Sequence, residues 1–111
     1  MGDFAPGRRR QGFYDLLFDK DLIEASFAMQ YKIRLSREDM PTGEFLRLLR
    51  GIMPDTPLGR IVAIRAETDS GRIAKFGQYE KAIRRDWQRF IGHQTNAGDI
   101  QNILKKNFGG E

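Results

Sequence analysis

The segment 54–67, PDTPLGRIVAIRAE, constrains the fold most, because it suits a phosphate-binding loop, a buried strand or a helix. Thr56 followed by Pro57 favours the helix, since threonine is a good N-cap and proline is well tolerated at the first helical position. Periodicity alone does not separate helix from strand here, but the chain offers no other convincing strand for pairing. As a helix, the segment places four apolar residues on one face: Leu58, Ile61, Val62 and Ile64.

Four further segments show the apolar spacing of amphipathic helices. They cover about residues 19–31, 42–50, 78–91 and 97–108. Asp19 and Asp21 place negative charge where it suits a helix N-terminus. Residues 68–77 are predicted to form a loop around Gly71. These patterns together predict an all-α fold, a small single-domain bundle of four to five helices.

The length of 111 residues allows one domain with one core. We predict a flexible basic N-terminal arm at 1–12, a helical domain at 13–108 and a C-terminal tail at 109–111. Three of the 19 Lys and Arg residues are Arg8–Arg10, and the other 16 nearly balance the 15 Asp and Glu. The excess positive charge therefore lies on the arm, which is either solvated or contacts an anionic partner.

The sequence lacks the motifs of enzyme, cofactor or metal sites. There is no cysteine, which excludes disulfides and thiolate ligands. Gly59, in the GRI sequence at 59–61, belongs to neither a Walker motif nor a dinucleotide-binding motif. His93 is the only histidine. Acidic residues near 19–24 are better explained by the N-terminus of a helix than by a cation site. We predict no enzyme activity, no catalytic residue, no metal and no cofactor.

Membrane insertion and secretion are also not expected. No apolar run approaches the roughly 20 residues that span a bilayer. The first twelve residues, MGDFAPGRRRQG, are charged but have no apolar segment behind them, so they are not typical of a secretory signal.

Some side chains lie where the helical pattern predicts an apolar face. Ser26 and Gln30 fall in the middle of the first helix's face, and Arg65 projects from the face of the 57–67 helix. Each is either satisfied inside the protein or meets a partner. The partner hypothesis predicts a contact surface on the first helix, at Arg65 and on the outer side of the last long helix: Ser26, Phe27, Gln30, Arg65, Arg84, Arg85 and Arg89.

The helix at about 78–91 is predicted to have an inner apolar stripe and an outer basic side. The inner stripe comprises Tyr79, Ala82, Ile83, Trp87, Phe90 and Ile91, and the outer side comprises Lys81, Arg84, Arg85 and Arg89. Because Trp87 lies in the inner stripe, it is predicted to anchor the core rather than to form a binding platform.

Three stretches of sequence form a distinctive combination. They are 54–62 (PDTPLGRIV) with 64–67 (IRAE), 21–31 (DLIEASFAMQY) with 33–35 (IRL), and 83–85 (IRR) with Trp87. Over about residues 14–90 this combination resembles the gene-product-fifteen family of small proteins from tailed bacteriophages and prophages. Family members typically lie in the tail-gene block between the major tail protein and the tape measure protein.

The resemblance implies a non-enzymatic tail assembly chaperone that binds the tape measure protein in the host cytoplasm during virion morphogenesis. The implied partners are the tape measure protein and the major tail protein, and self-association into a homo-oligomer stays open. One alternative is a nucleic-acid-binding accessory protein that uses Arg8–Arg10, Arg84, Arg85 and Arg89. Another is a structural tail or neck subunit of the virion.

Overall fold

The computed structural model describes residues 10–93, and this part of the chain has the predicted all-α fold. In chain order the elements are strands β1 (Arg10–Gln11) and β2 (Tyr14–Asp15), helix α1 (Lys20–Tyr31), a 3-10 turn (Leu35–Arg37), and helices α2 (Thr42–Arg50), α3 (Pro57–Ala66), α4 (Ser70–Ala74) and α5 (Gln78–His93). The predicted helix at 97–108 and tail at 109–111 lie outside the described residues, as do residues 1–9 of the predicted arm.

A short antiparallel hairpin precedes α1. Arg10 pairs with Asp15, and Gln11 pairs with Tyr14. Gly12 in the turn has a φ of 58°, a left-handed conformation that glycine adopts without steric cost. Residues 10 and 11, at the end of the predicted arm, thus form strand β1.

The main core lies between α1, α2 and α3. Its buried residues are Leu16, Ile23, Phe27, Leu35, Phe45, Leu46, Leu49 and Leu58. Phe27 of α1 stacks on Phe45 of α2 with ring centroids 5.3 Å apart. Burial of each such side chain contributes about 1.5–3 kcal/mol. α2 contributes Phe45, Leu46 and Leu49 to this core, in agreement with the amphipathic spacing predicted for 42–50.

Most of the segment 54–67 forms helix α3, and residues around the N-terminus of this helix bind its free N–H groups. The hydroxyl of Thr56 accepts a hydrogen bond from Gly59 N at 3.0 Å, which confirms the predicted cap. Ser26 in α1 accepts from Leu58 N at 2.9 Å and donates to the Leu22 carbonyl at 2.7 Å. Two of the donors that a helix start leaves free are thus bound, and one of the bonds ties α3 to α1.

The C-terminal end of α3 is bound by α5. The guanidinium of Arg84 donates to the carbonyls of Ile64 at 2.8 Å, Glu67 at 3.0 Å and Arg65 at 3.3 Å. A cation at the carbonyl end of a helix also interacts favourably with the helix dipole. Arg84 therefore does not belong to a free outer side of α5, as the sequence predicted, but joins α5 to α3.

Gly59 lies in the first turn of α3, where the helix passes close to the preceding loop. A Cβ at this position would contact the Met53 carbonyl oxygen and come within 2.8 Å of the Pro54 Cα. Both neighbours are backbone, which does not move aside as a flexible side chain does. Packing therefore accounts for the glycine of the PDTPLGR segment.

The prediction of a loop at 68–77 is wrong, because this stretch contains α4. Asp69 caps the helix by accepting from Arg72 N at 2.9 Å. The Glu67 carboxylate accepts from Asp69 N at 3.0 Å, from Thr68 N and from the Arg72 guanidinium. The bond from the Asp69 backbone is the main reason why the pKa of Glu67 lies below its ordinary value. A five-residue helix lacks the apolar period by which longer helices are predicted.

Candidate protein-binding surface

Arg65 is buried in α3 and forms an ion pair with Asp19, which precedes α1. Two hydrogen bonds of 2.8 Å join its terminal nitrogens to the two carboxylate oxygens. The Arg65 side chain is 5% exposed and that of Asp19 is 2% exposed. A third hydrogen bond runs from Arg65 to the Phe13 carbonyl at 2.9 Å. Of the two alternatives for Arg65, internal pairing is confirmed.

Aromatic rings and the hairpin enclose this ion pair. The Arg65 guanidinium lies 4.2 Å from the centroid of the Trp87 ring and 5.6 Å from that of Phe18, within the range of cation–π contacts. Asp19 also accepts from Asp15 N at 3.0 Å. The pair thus connects the hairpin, α1, α3 and α5. Trp87 is 2% exposed, which confirms its predicted role as a core anchor.

On α1, two of the three residues of the predicted contact surface are inaccessible. Ser26 and Phe27 are fully buried. Gln30 donates to the Gly51 carbonyl at 2.9 Å and accepts from Met53 N at 2.8 Å, so its amide is bound within the domain. Placing Ser26, Phe27 and Arg65 on a contact surface was therefore wrong, because all three are buried by their own fold.

Aromatic side chains remain exposed beside α5. The rings of Phe18 and Phe90 stack with centroids 4.2 Å apart. Phe18 is nevertheless 44% exposed, and Tyr79 at the start of α5 is 69% exposed. Tyr79 was predicted to lie in the inner stripe, which was wrong. In the described structure α5 packs against α3, and this contact covers only part of the stripe.

Three exposed basic residues form a row on α5, of which Arg89 lies nearest the aromatic side chains. Lys81, Arg85 and Arg89 are exposed and follow one another at intervals of four residues, which places them in a row along the helix. Asp86 lies 3.8 Å from the Arg85 side chain and 4.0 Å from that of Arg89. These distances are long for ion pairs. Ion pairs between exposed groups contribute little to stability.

An open cleft of about 480 Å³ lies at this end of the domain. Its lining residues are Phe18, Asp86, Arg89, Phe90 and His93. We call the patch that includes most of the cleft lining the α5 surface, defined by Phe18, Tyr79, Arg85, Asp86, Arg89 and Phe90. Of the contact residues predicted from the sequence, Arg85 and Arg89 belong to it. Phe18 and Tyr79 were not predicted to belong to a contact surface. The predicted apolar stripe of the 78–91 helix is wider than one packing partner can cover, and this width could have indicated an exposed apolar surface.

The residues described by the structure contain no group of three or more His, Asp or Glu side chains placed to hold a metal ion. Within 10–93 no helix has the length and apolar character needed to cross a membrane.

Asp21 and Glu24, which we assigned to helix N-terminal charge, lie 3.9 and 3.7 Å from the Lys20 ammonium. Asp19 does not cap α1 with its side chain but binds Arg65 instead.

Comparison with known protein families shows the family of this chain. The sequence profile described as Bacteriophage Gp15 protein matches residues 4–86. The chain belongs to the bacteriophage Gp15 family. The Gp15 match includes Arg8–Arg10, which precede the resemblance noted from the sequence, and it ends before Trp87 and Arg89. Neither the curated proteins nor the solved structures compared with the chain gave a match.

Proposed function

We propose that this Gp15-family protein is a non-enzymatic tail assembly chaperone that binds the tape measure protein before the tail tube forms. Membership of a bacteriophage family supports the phage setting. The observation that carries the proposal is the stack of Phe18 on Phe90, which stays partly exposed on the α5 surface. Exposed aromatic residues beside arginines are typical of protein-binding surfaces.

The proposed role requires reversible binding. A long helical partner exposes apolar stretches until the tube covers them, and many small domains bound along it shield those stretches together. Weak binding by each domain is sufficient, because several sites on one chain act at a high effective concentration. The limited size of the α5 surface suits such weak contacts, which incoming tube subunits would displace.

Co-expression with the tape measure protein from the same phage tests the proposal. We expect the tape measure protein to remain soluble and to co-purify with the full chain, with and without nuclease. A matched variant, Tyr79→Ser with Phe90→Ser, should retain the fold by circular dichroism and lose co-purification. Insoluble tape measure protein in the presence of the folded wild-type chain would contradict the proposal.

Nucleic-acid binding is a second candidate, supported by the row Lys81, Arg85 and Arg89. Retention on DNA that falls steeply with salt, without any tape measure protein, would favour it over the chaperone. The third reading, a tail or neck subunit, predicts the chain in purified particles. The chaperone proposal instead expects mass spectrometry of finished virions to find none.

A further inference from the structure

The α5 surface has the length and straightness of a helix-binding site. Tyr79 and Phe90 are eleven positions apart, which corresponds to about 16 Å or three helical turns. Successive residues of a helix are 100° apart, and on this basis Tyr79, Asp86 and Phe90 face the same side of α5. Phe18 extends that side through its stack on Phe90. An apolar stripe of this shape is suited to a second helix laid along it.

The charges beside the stripe indicate which helix fits. Arg89 and Arg85 lie nearest one flank of the stripe, about 80° and about 120° from Tyr79 around the helix, whereas Lys81 lies about 160° away. Asp86 is the acidic side chain within the stripe. The excess of positive charge attracts carboxylates and disfavours a basic partner. Asp86 would lie against the phosphates of a nucleic acid bound in the cleft, which favours a protein partner.

We propose that the α5 surface binds a partner α-helix that carries an apolar stripe with acidic residues along one flank. The aromatic residues supply the apolar contact, and Arg85 and Arg89 fix the direction and register of the partner helix. The inference rests on the proposed function and specifies the chemistry of the tape measure segment that would be bound.

Designed peptides test this specificity with the full-length protein. The first peptide is a helix of about 20 residues, long enough to be helical in water, with leucine at i, i+3, i+4 and i+7 and glutamate along one flank. The second has lysine in place of each glutamate. Fluorescence anisotropy should show that the acidic peptide binds at least ~10-fold more tightly, corresponding to about 1.4 kcal/mol.

Charge reversal on the protein provides the matched variants. Arg85→Glu with Arg89→Glu should reverse the preference between the two peptides, because both side chains are more than half exposed and do not hold the fold. Arg60→Glu changes an exposed charge in the first half of α3, outside the residues that define the α5 surface, and should leave both affinities unchanged. Equal affinity for the two peptides, or a preference unaffected by the reversal, would overturn the inference.

The same variants separate this inference from the proposed function. If the tape measure protein co-purifies with the wild type and with the Arg85/Arg89 reversal alike, the chaperone role holds and the acidic-helix inference fails. If it co-purifies with neither, while the acidic peptide still binds, the proposed partner is wrong. Tighter binding of single-stranded DNA than of the acidic peptide, or self-association that blocks the peptide, would also overturn the inference.

Discussion

Replacing Arg65 with alanine is expected to lower the free energy of unfolding by about 3–5 kcal/mol, because it leaves a buried carboxylate without its counter-ion. Asp19 would lose two hydrogen bonds of 2.8 Å while its side chain remains 2% exposed. The carboxylate would keep the bond from Asp15 N at 3.0 Å. The variant also loses the contact with the Trp87 ring, a smaller contribution of about 1–2 kcal/mol at most.

This loss is large compared with the total stability of a domain, about 5–15 kcal/mol. Arg65→Lys offers a milder change, since lysine keeps the charge but not the two-pronged bond to the carboxylate. The double variant Asp19→Ala with Arg65→Ala should be less destabilised than the sum of its two single variants. Neither charge is then left buried alone, so the coupling free energy should be about 2 kcal/mol or more.

Urea unfolding measures these changes. Trp87, the only tryptophan in the sequence, lies against Arg65, so its fluorescence reports on the site, and far-UV circular dichroism reports on the helices. Arg72→Ala is the matched control, because Arg72 pairs with Glu67 at 3.2 Å while its side chain is 71% exposed. This control should cost less than about 1 kcal/mol. An equally small cost for Arg65→Ala, with an unchanged urea dependence, would refute the reasoning.

Three further predictions concern stability. Gly59→Ala should destabilise the protein by about 1–3 kcal/mol in the same urea assay, despite the better helix propensity of alanine. Gly43→Ala in α2 is the control and should be neutral or stabilising, because a Cβ there meets only the end of a flexible arginine. Thr56→Ala should cost about 0.5–2 kcal/mol through loss of the cap, and Thr56→Ser should restore most of it, as thermal unfolding would show. Burial raises the pKa of Tyr14 to about 12, while an unfolded tyrosine titrates near 10. Between these pH values the tyrosine of the unfolded state loses its proton first, so the free energy of unfolding falls by up to about 2–3 kcal/mol as the pH rises. The urea midpoint of Tyr14→Phe should therefore fall less steeply over this pH range than that of the wild type.

The helices follow from local sequence signals. Thr56 and Pro57 were enough to start α3 correctly, because a helix cap and a fixed proline φ are properties of neighbouring residues. The 3.6-residue period gave α2 its observed bounds, Thr42–Arg50. α4 was missed because five residues are too few for a period to appear.

The site depends on contacts between residues far apart in sequence. Ser26 and Arg65 were each recognised as unusual on an apolar face, but the pattern does not tell that Ser26 meets Leu58 or that Arg65 meets Asp19. Tyr79 was misplaced because helix periodicity defines an apolar face without showing how much of it another element covers. The α5 surface became visible only once the packing of α5 against α3 was known.

Hydrogen–deuterium exchange on the co-purified complex with the tape measure protein tests the central claim most directly. The account predicts slower exchange in α5 and around Phe18 when the tape measure protein is bound, with α2 unchanged. Slower exchange in α2 with α5 unaffected, or failure to obtain any complex of the folded chain with the tape measure protein, would contradict it.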